Sequence, residues 1–546
     1  MQQHQTVFPI IVPLGFAGSR HLLPAKADFT AAQRTSFFSA VEAHLTEVIQ
    51  HLPGQLGMSD QHVLCGISQI AIGADAIFTR VCANLNVPQR IFLPQTRDVY
   101  LEALGPAGEA DFSLEEIAAT RELLASPHVI QERVVSDASD RTVRFVDTNV
   151  EIIRESEVFV CLLRPNARRN AGGTAELLEK VQQRGQPVLE IRCAAVDGLP
   201  RFTQTRHNWP DTGRDRSAQT LWRLPTLPGE LTTRGVAGRA NAMRDLFTHA
   251  RAHLDALAQS GGDQATLQRG VFRNAALCII AAHLSATVCA VLSQNLHHSV
   301  LLAVLLNIEA LLLTAGLSIH IWLHRARAVK SWATFRLASE LSVSALAMRN
   351  ARVSLEHLFT LPFPASLLPL LRTIHVLHLV LSKENNSPWE QRRAAYIDER
   401  LEGERGQIGY YKRELIKAKR RLRIANWTFL TATSLALATT PLKMLLTQAG
   451  FDVATRLNGA VGLGMSLVAV VFPMLAVAAL SLAASFDLEA RVHTYEDTLN
   501  DVERIKSVML LADSDREFGR LALQAEREML AETANWASRR SFTSVT

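Results

Sequence analysis

Three glycine-bearing stretches stand where short apolar runs end. Gly15-Phe16-Ala17-Gly18-Ser19-Arg20 closes the run Phe8–Phe16, and Ser68–Asp75 (SQIAIGAD, with Gly73) follows His62–Ser68. Ala171-Gly172-Gly173-Thr174-Ala175-Glu176 follows Val158–Arg164. Residues without bulk let backbone approach a phosphate, and free N–H groups at a helix start favour an anion. Arg20, Arg168 and Arg169 add positive charge beside two of these stretches. The combination selects a nucleotide-like ligand held by Gly15, Phe16, Gly18, Ser19, Arg20, Ser68, Gly73, Asp75, Gly172, Gly173, Thr174 and Glu176. The spacing is not G-x-G-x-x-G, and no G-x-x-x-x-G-K-[ST] occurs, so neither an ordinary dinucleotide site nor an NTPase loop is expected. Two plainer roles stay open: the glycines as turn formers, and Glu176 as an acid that stabilises the first turn of a helix. The six cysteines contain no C-x-x-C, so no metal site and no disulfide framework are expected.

Two more ionisable residues, His283 and Glu309, interrupt long apolar segments. Such residues inside a membrane face a bundle interior or water and mark function. At matching depths in a tight hairpin they would hydrogen-bond to each other, and a neutral structural pair is the alternative. The segments are Ala275–Ser293, Val300–Leu323, Trp427–Leu446 and Leu457–Ala484, each near the span requirement of about 20 residues. The connections Gln294–Ser299 and Gln448–Arg456 are short, which makes two membrane hairpins. Pro441 and Pro473 are positions for kinks in the later spans. Arg269 and Arg273 precede the first span, Arg325, Arg327 and Lys330 follow the second, and Lys417, Lys419, Arg420, Arg421 and Arg423 precede the third. The hairpin loops carry little more than Arg456, with Lys443 near a span end. Basic flanks mark the cytoplasmic side, so both termini and residues 331–425 are expected there. A fifth apolar stretch, Leu358–Leu381, contains Pro362, Pro364, Arg372, His375 and His378. A mid-span arginine costs about 2.5–3.5 kcal/mol on insertion scales, so this stretch is expected to be buried or interfacial within the cytoplasmic region.

The elements that must carry these residues follow from the pattern. Apolar runs at Phe8–Phe16, His62–Ser68, Arg90–Pro94, Val129–Val135, Val158–Arg164 and Pro187–Cys193 alternate with helical stretches at Ala31–His51, Ala74–Asn86, Ser113–Ala125, Thr142–Glu155 and Thr174–Gln183. This alternation predicts a Rossmann-like α/β fold, a doubly wound parallel sheet with helices on both faces. Ligands bind such sheets at the carboxyl edge, where all three glycine stretches fall. Residues 194–238 carry scattered Pro, Gly and Arg and read as an irregular connector; a helix is expected at Ala240–Gln259 and a flexible break at Ser260–Gly262. At the C-terminal end, Leu488, Val492, Tyr495, Leu499, Val502, Ile505 and Met509 recur every three or four residues. That stripe needs a partner, and Glu399–Arg423 is the expected one.

Composition agrees with a part-soluble, part-membrane chain. The 546 residues are 48% hydrophobic and 20% charged, with 57 Lys+Arg against 52 Asp+Glu. That is too apolar for disorder and too charged for spans alone. Met1–Thr6 lacks a basic region and Val7–Phe16 is only strand length, so no signal peptide is expected.

The order strand–GFAGSR, strand–SQIAIGAD–helix and strand–GGTAE–helix over residues 7–193 resembles the SLOG superfamily, which includes DNA-processing protein A and the lonely-guy nucleoside hydrolases. Tyr396–Arg400 with Gln407, Tyr410, Tyr411 and Lys412 before a hairpin, and Tyr495, Leu499 and Glu526–Trp536 after it, resemble SLATT effector modules. Trp332–Asn350 resembles a second copy of the helix after the hairpin. The resemblance implies a SLOG-like ligand-binding domain at 1–193, a connector and helix at 194–270, and a first, partly degenerate SLATT-like unit at 271–355. A cytoplasmic connector at 356–395 and a second SLATT-like unit at 396–546 complete it, an all-α membrane domain with four transmembrane helices and long cytoplasmic helices. It also implies a multi-pass protein of the bacterial inner membrane that acts in conflict with phage. A nucleotide-derived second messenger would gate a pore or membrane disruption by a homo-oligomer, beside a signal-producing synthase; no other cofactor and no nucleic acid are expected. Lonely-guy enzymes use a P-G-G-x-G-T-x-x-E loop. Here Gly172-Gly173-Thr174 lacks the intervening glycine before Glu176, which leaves a membrane-tethered nucleotide-processing enzyme as the alternative.

Overall fold

The computed structural model describes residues 8–23, 29–103, 111–167, 169–196, 198–210, 222–229, 231, 246–294, 299–403, 406–448 and 460–542. Arg168, Arg456, the two hairpin loops and Ala240–Arg244 lie outside them, as does the side chain of Lys443. Two compact units divide the chain: residues 1–256 with 365–386, and residues 257–364 with 387–546.

The first unit is built on seven strands: β1 (Ile10–Gly18), β2 (His62–Ser68), β3 (Gln89–Leu93), β4 (Val129–Val134), β5 (Val158–Leu163), β6 (Val188–Val196) and β7 (Leu199–His207). Their order is β4-β3-β2-β1-β5-β6-β7. All pairs are parallel except β6 with β7. The chain lays down β1 to β4 toward one edge, then returns past β1 to place β5. The order therefore reverses between β1 and β5, the point where open α/β sheets form a ligand crevice.

Alternation along β5 shows why this region folds as a layered sheet. Val158, Val160 and Leu162 enter one core with Phe37, Val41 and Leu45 of α1 (Ala31–Gln55) and Ile77 and Phe78 of α2 (Ala74–Asn84). Phe159, Cys161 and Leu163 enter the other with Ile152 and Ile153 of α5 (Arg141–Glu155) and Leu177 and Val181 of α6 (Thr174–Gln183). The short α3 (Arg97–Leu101) and α4 (Leu114–Ala125) cover the β3–β4 end. Capping boxes at Thr30/Gln33 and Ser113/Glu116 start α1 and α4, and the Asp140 side chain caps α5.

One sequence expectation changes here. Residues 199–207 are not an irregular connector but the antiparallel edge strand β7. Its alternation is masked by Pro200, Arg201 and Arg206, residues that blunt an exposed edge. Phe202 faces inward and stacks on His44 at 3.9 Å. The fifth apolar stretch supplies the helix α10 (Leu368–Glu384, numbered after three helices of the second unit), which packs on β1 and β4. Ile11 N–H, at the start of β1 where β5 has not yet begun, donates to Thr373 Oγ1 at 3.0 Å. Arg372 pairs with Glu157, and Lys383 Nζ donates to the carbonyls of Ser126 and Val129. The buried, interfacial reading of this stretch thus matches its place.

The second unit is helical. It holds the larger part of α7 (Leu246–Ser293), with α8 (Ser299–Arg325), α9 (Ala328–Met348) and α11 (Trp389–Tyr396). After a π turn at Ile397–Glu402 come α12 (Gln407–Gln448), α13 (Ala460–Ser485), α14 (Leu488–Leu510) and α15 (Asp515–Phe542). The expected break at Ser260–Gly262 is absent: α7 runs through it. A Cβ at Gly261 would meet the Phe335 carbonyl at 3.1 Å, so the glycine serves close approach to α9, where Ser339 Oγ donates to the Ala258 carbonyl at 2.7 Å. The stripe on α14 is buried, and α12 and α15 pack on it.

Among the described residues, five helices are long and apolar enough to cross a membrane. The apolar window of α10 is 72% buried within the protein, whereas those on α7, α8, α12 and α13 are 17%, 6%, 6% and 11% buried. The joints after α8 and α13 share one geometry. Arg327 and Asp487 each take a left-handed conformation (φ 48° and 49°) before the next helix begins. The Ser331 and Arg491 amides then bond back to the Arg327 and Asp487 carbonyls at 2.9 Å.

Candidate ligand site

The crevice at the carboxyl ends of β1 and β5 holds a cavity of about 290 Å³. It is lined by Phe16, Gly18, Ser19 and Arg20 after β1, by Asp75 on α2, and by Gly172, Gly173 and Thr174 at the start of α6. Gln69, Tyr100, Asn149 and Arg164 complete its polar wall. The three glycine stretches, 50 to 150 residues apart in the chain, are thus brought to one place by the strand order.

Hydrogen bonds lock the loops together. Thr174 Oγ1 donates to the Gly18 carbonyl at 2.9 Å, and the Arg164 amide donates to Ser19 Oγ at 3.2 Å. Asn149 Nδ2 donates to the Gly172 carbonyl at 2.8 Å while its Oδ1 accepts from Gln69 Nε2 at 2.9 Å. Helix α6 begins at Gly173 with no side-chain cap. Its first turn therefore presents amide donors at the cavity wall, a setting suited to an anion.

Asp75 is the unusual group. It is 6% exposed, and its carboxyl oxygens accept from the Gly18 amide at 3.1 Å and the Ala71 amide at 3.3 Å. Burial pushes its pKa up to about 7, against the opposing pull of those two amides and Arg20. Arg20 pairs with Asp111 at 3.3 Å, which also binds Arg141, and lies over the Phe112 ring. Its Nε is buried without a partner, so the guanidinium retains an unused donor. Burial first, then Arg20 and Arg164, lower the pKa of His21 and favour its neutral form. The α6 start and the arginines thus suit an anion, and Asp75, Gln69 and Asn149 give the opposite wall polar groups suited to a hydroxyl or amide.

Four of the expected ligand residues stand back from the cavity. Gly15 lies within β1 against the Phe159 ring and Ser156. Ser68 is fully buried and accepts from Gln89 Nε2 at 3.1 Å. Gly73 starts α2 at φ +82°, where a Cβ would sit 2.2 Å from the Arg20 carbonyl; it sets the fit of two loops. Glu176 accepts from the Gly172 amide at 2.7 Å and pairs with Lys180 at 2.9 Å, which lower its pKa and engage it in holding the loop. Sequence reasoning missed Asn149, Gln69 and Tyr100, which reach the cavity from a helix, a loop and a helix far apart in the chain. Arg169 pairs with Glu179 at 3.1 Å.

In the helical unit, His283 and Glu309 do not form the expected pair among the described residues. His283 Nδ1 lies 2.7 Å from the Ile279 carbonyl in its own helix, and its ring faces Gly316. Gly316 is seven residues, about 10 Å of helix rise, beyond Glu309. A Cβ at position 316 would sit 3.0 Å from that ring, a close approach that spacing from the loop does not reveal.

The motif residues around the second hairpin do meet. Glu526 is fully buried; its carboxylate accepts from Arg400 Nε and Nη2, both at 2.8 Å, from Tyr396 Oη at 2.9 Å and from Ser344 Oγ at 2.6 Å. Arg336 pairs with Glu532 at 2.7 Å, and Trp332 packs edge-on against Trp536 at 4.6 Å. No group of three or more potential metal ligands occurs among the described residues. Compared with protein-family models, with curated proteins and with solved structures, the chain matches none.

Proposed function

We propose that this chain is a membrane effector gated by a nucleotide-derived anion. The α/β unit is the sensor, in the manner of a SLOG domain, and the helical unit is a SLATT-like effector whose α7, α8, α12 and α13 cross the bilayer. One observation carries the reading: a crevice fitted for an anion sits at the sheet's switch point, in a chain with four helices that leave long apolar surfaces unburied. The fifth apolar helix, α10, stays with the sheet because its apolar window is already buried. Both termini are cytoplasmic. Four spans enclose little pore by themselves, so the acting form is an oligomer, with Glu309 on the inner side.

Purified full-length protein, titrated with nucleoside phosphates and cyclic nucleotides and followed by thermal unfolding, tests the sensor. A ligand bound only by the folded form raises the transition temperature. Gly173→Glu, which sets a carboxylate at the α6 terminus, and Arg20→Glu should each weaken binding at least tenfold while leaving the unfolding transition cooperative. Normal binding by both variants overturns the site. Ligand-dependent ion flux from liposomes tests the effector.

Asp75 gives the second reading its own support. A buried carboxyl titrating at about 7 beside an anion site suits a general acid or base. Turnover of a bound nucleotide, abolished in Asp75→Asn, would make the protein a tethered nucleotide-processing enzyme. Recovery of unchanged ligand favours the sensor.

A further inference from the structure

A second cavity, of about 720 Å³, lies wholly within the helical unit, between α7, α12, α13 and α14. Its two ends differ in chemistry. One wall is apolar, built from Leu277, Ile280, Ile424, Leu475, Leu482 and Phe486. The other end carries Arg269, Arg273, Lys417, Arg421 and Arg491. The lining contains a single acid, Glu414, and its carboxylate is held by Lys417 at 2.6 Å.

Arg491 sets this cavity apart from a merely basic surface. It is 9% exposed, and its Nε and Nη2 are buried with no hydrogen-bond partner. Its guanidinium lies over the Trp332 ring at 5.8 Å. Glu532, a carboxylate whose charge acts on Arg491, is already paired with Arg336 at 2.7 Å. A buried guanidinium with unsatisfied donors calls for an acceptor, and an anion gives the strongest, charge-assisted bonds. Arg491 follows directly after the left-handed joint at Asp487, so it stands where the apolar helix α13 gives way to the polar helix α14.

We propose that this cavity seats an anionic phospholipid, its phosphate on Arg491 and the surrounding cations and an acyl chain along the apolar wall of α13. The proposal rests on the membrane reading above. Both halves of the cavity are needed to choose the occupant. A free phosphate leaves the apolar wall facing water, and a zwitterionic lipid, whose phosphate could reach Arg491, would bring its own cation against Arg269, Arg273, Lys417 and Arg421. Basic pockets between spans at the cytoplasmic face take anionic headgroups for this reason.

The test uses the full chain in phosphatidylcholine vesicles made with and without phosphatidylglycerol. The chain is then extracted in mild detergent, and the lipid that stays bound is measured by mass spectrometry. Phosphatidylglycerol should be retained in preference to phosphatidylcholine. Arg491→Gln and Arg421→Gln should each reduce that preference about fivefold; Arg421, being at the cavity mouth, keeps the test open should Arg491→Gln fail to fold. Arg504→Gln, on α14 and paired with Asp501 outside the cavity, should leave it unchanged. Equal retention of the two lipids, an unchanged preference in both cavity variants, or displacement of the lipid by inorganic phosphate would overturn the site. Sedimentation with carbonate-washed membranes is scored in parallel. A chain that inserts without preferring phosphatidylglycerol defeats the lipid site alone, and a chain that stays soluble defeats both this and the membrane reading.

Discussion

At the residue scale, Asp75 is the group whose surroundings most change its chemistry. Its pKa, raised by burial to about 7 from 3.8, means that the folded protein keeps a proton the unfolded chain has lost between those two values. Stability therefore falls as pH rises from about 4 to about 7 and levels off above, the reverse of a paired carboxylate. The full difference is on the order of 3–5 kcal/mol. Asp75→Asn should flatten this slope, and because the amide oxygen cannot accept from both the Gly18 and Ala71 amides, the variant should be less stable than the parent at pH 5, where the carboxyl is protonated. Thermal unfolding of both proteins from pH 5 to 8 is the measurement, and a parallel slope in the variant would show that another group titrates. Ligand binding should have its own pH dependence. An anion bound near Asp75 is favoured while the carboxyl is protonated, so affinity should decline as pH rises past about 7.

At the element scale, the buried Glu526 ties α15 to α9 through Ser344 and to the π turn through Arg400. A buried ion pair adds little over a well-packed apolar pair, but removing one partner strands the other, at about 3–5 kcal/mol. Glu526→Ala and Arg400→Ala should each destabilise the helical unit by that amount, and Glu526→Leu combined with Arg400→Leu should cost less than either single change. Strict additivity in denaturation of the detergent-solubilised chain would refute a coupled pair. The strands and helices of the sheet region were legible in the sequence to within a few residues, because buried parallel strands write continuous apolar runs and helices such as α1 and α4 begin with side-chain caps. β7 was not legible, since an exposed edge strand is selected for charge rather than for burial. Nor was the continuity of α7 through Ser260–Gly262, where glycine answers a neighbouring helix and not a turn. Of the candidate site, the loops were visible as glycines at strand ends. The residues closing it from α5 and the β2 loop, Asn149 and Gln69, carry no local signal; only the strand order brings them near.

At the scale of the whole molecule, the two helical hairpins share a plan: a long helix leads in, an apolar helix returns, and a left-handed residue turns the chain into a buried helix. The shared joint at Arg327 and Asp487 places the buried helices α9 and α14 on the same side of their respective spans, and the two are bridged by α15, which packs on both. If the proposed spans hold, one body in which α15 packs on both α9 and α14 requires an even number of crossings between those two helices. This constraint is independent of the basic flanks, and it agrees with them. On the proposed reading, in which α12 and α13 both cross, α10 is not a fifth span, because a crossing there would put α9 and α14 on opposite sides of the bilayer, where α15 could not contact both. Single cysteines test this in a background lacking Cys278 and Cys289. Gln294→Cys and Gln448→Cys, at the far ends of α7 and α12, should react with an impermeant maleimide only from outside sealed spheroplasts, and Lys412→Cys only after lysis. Labelling of position 294 from outside and of position 448 from inside would mean an odd number of crossings between the hairpins. That result would restore α10 to the membrane and break the joined body apart.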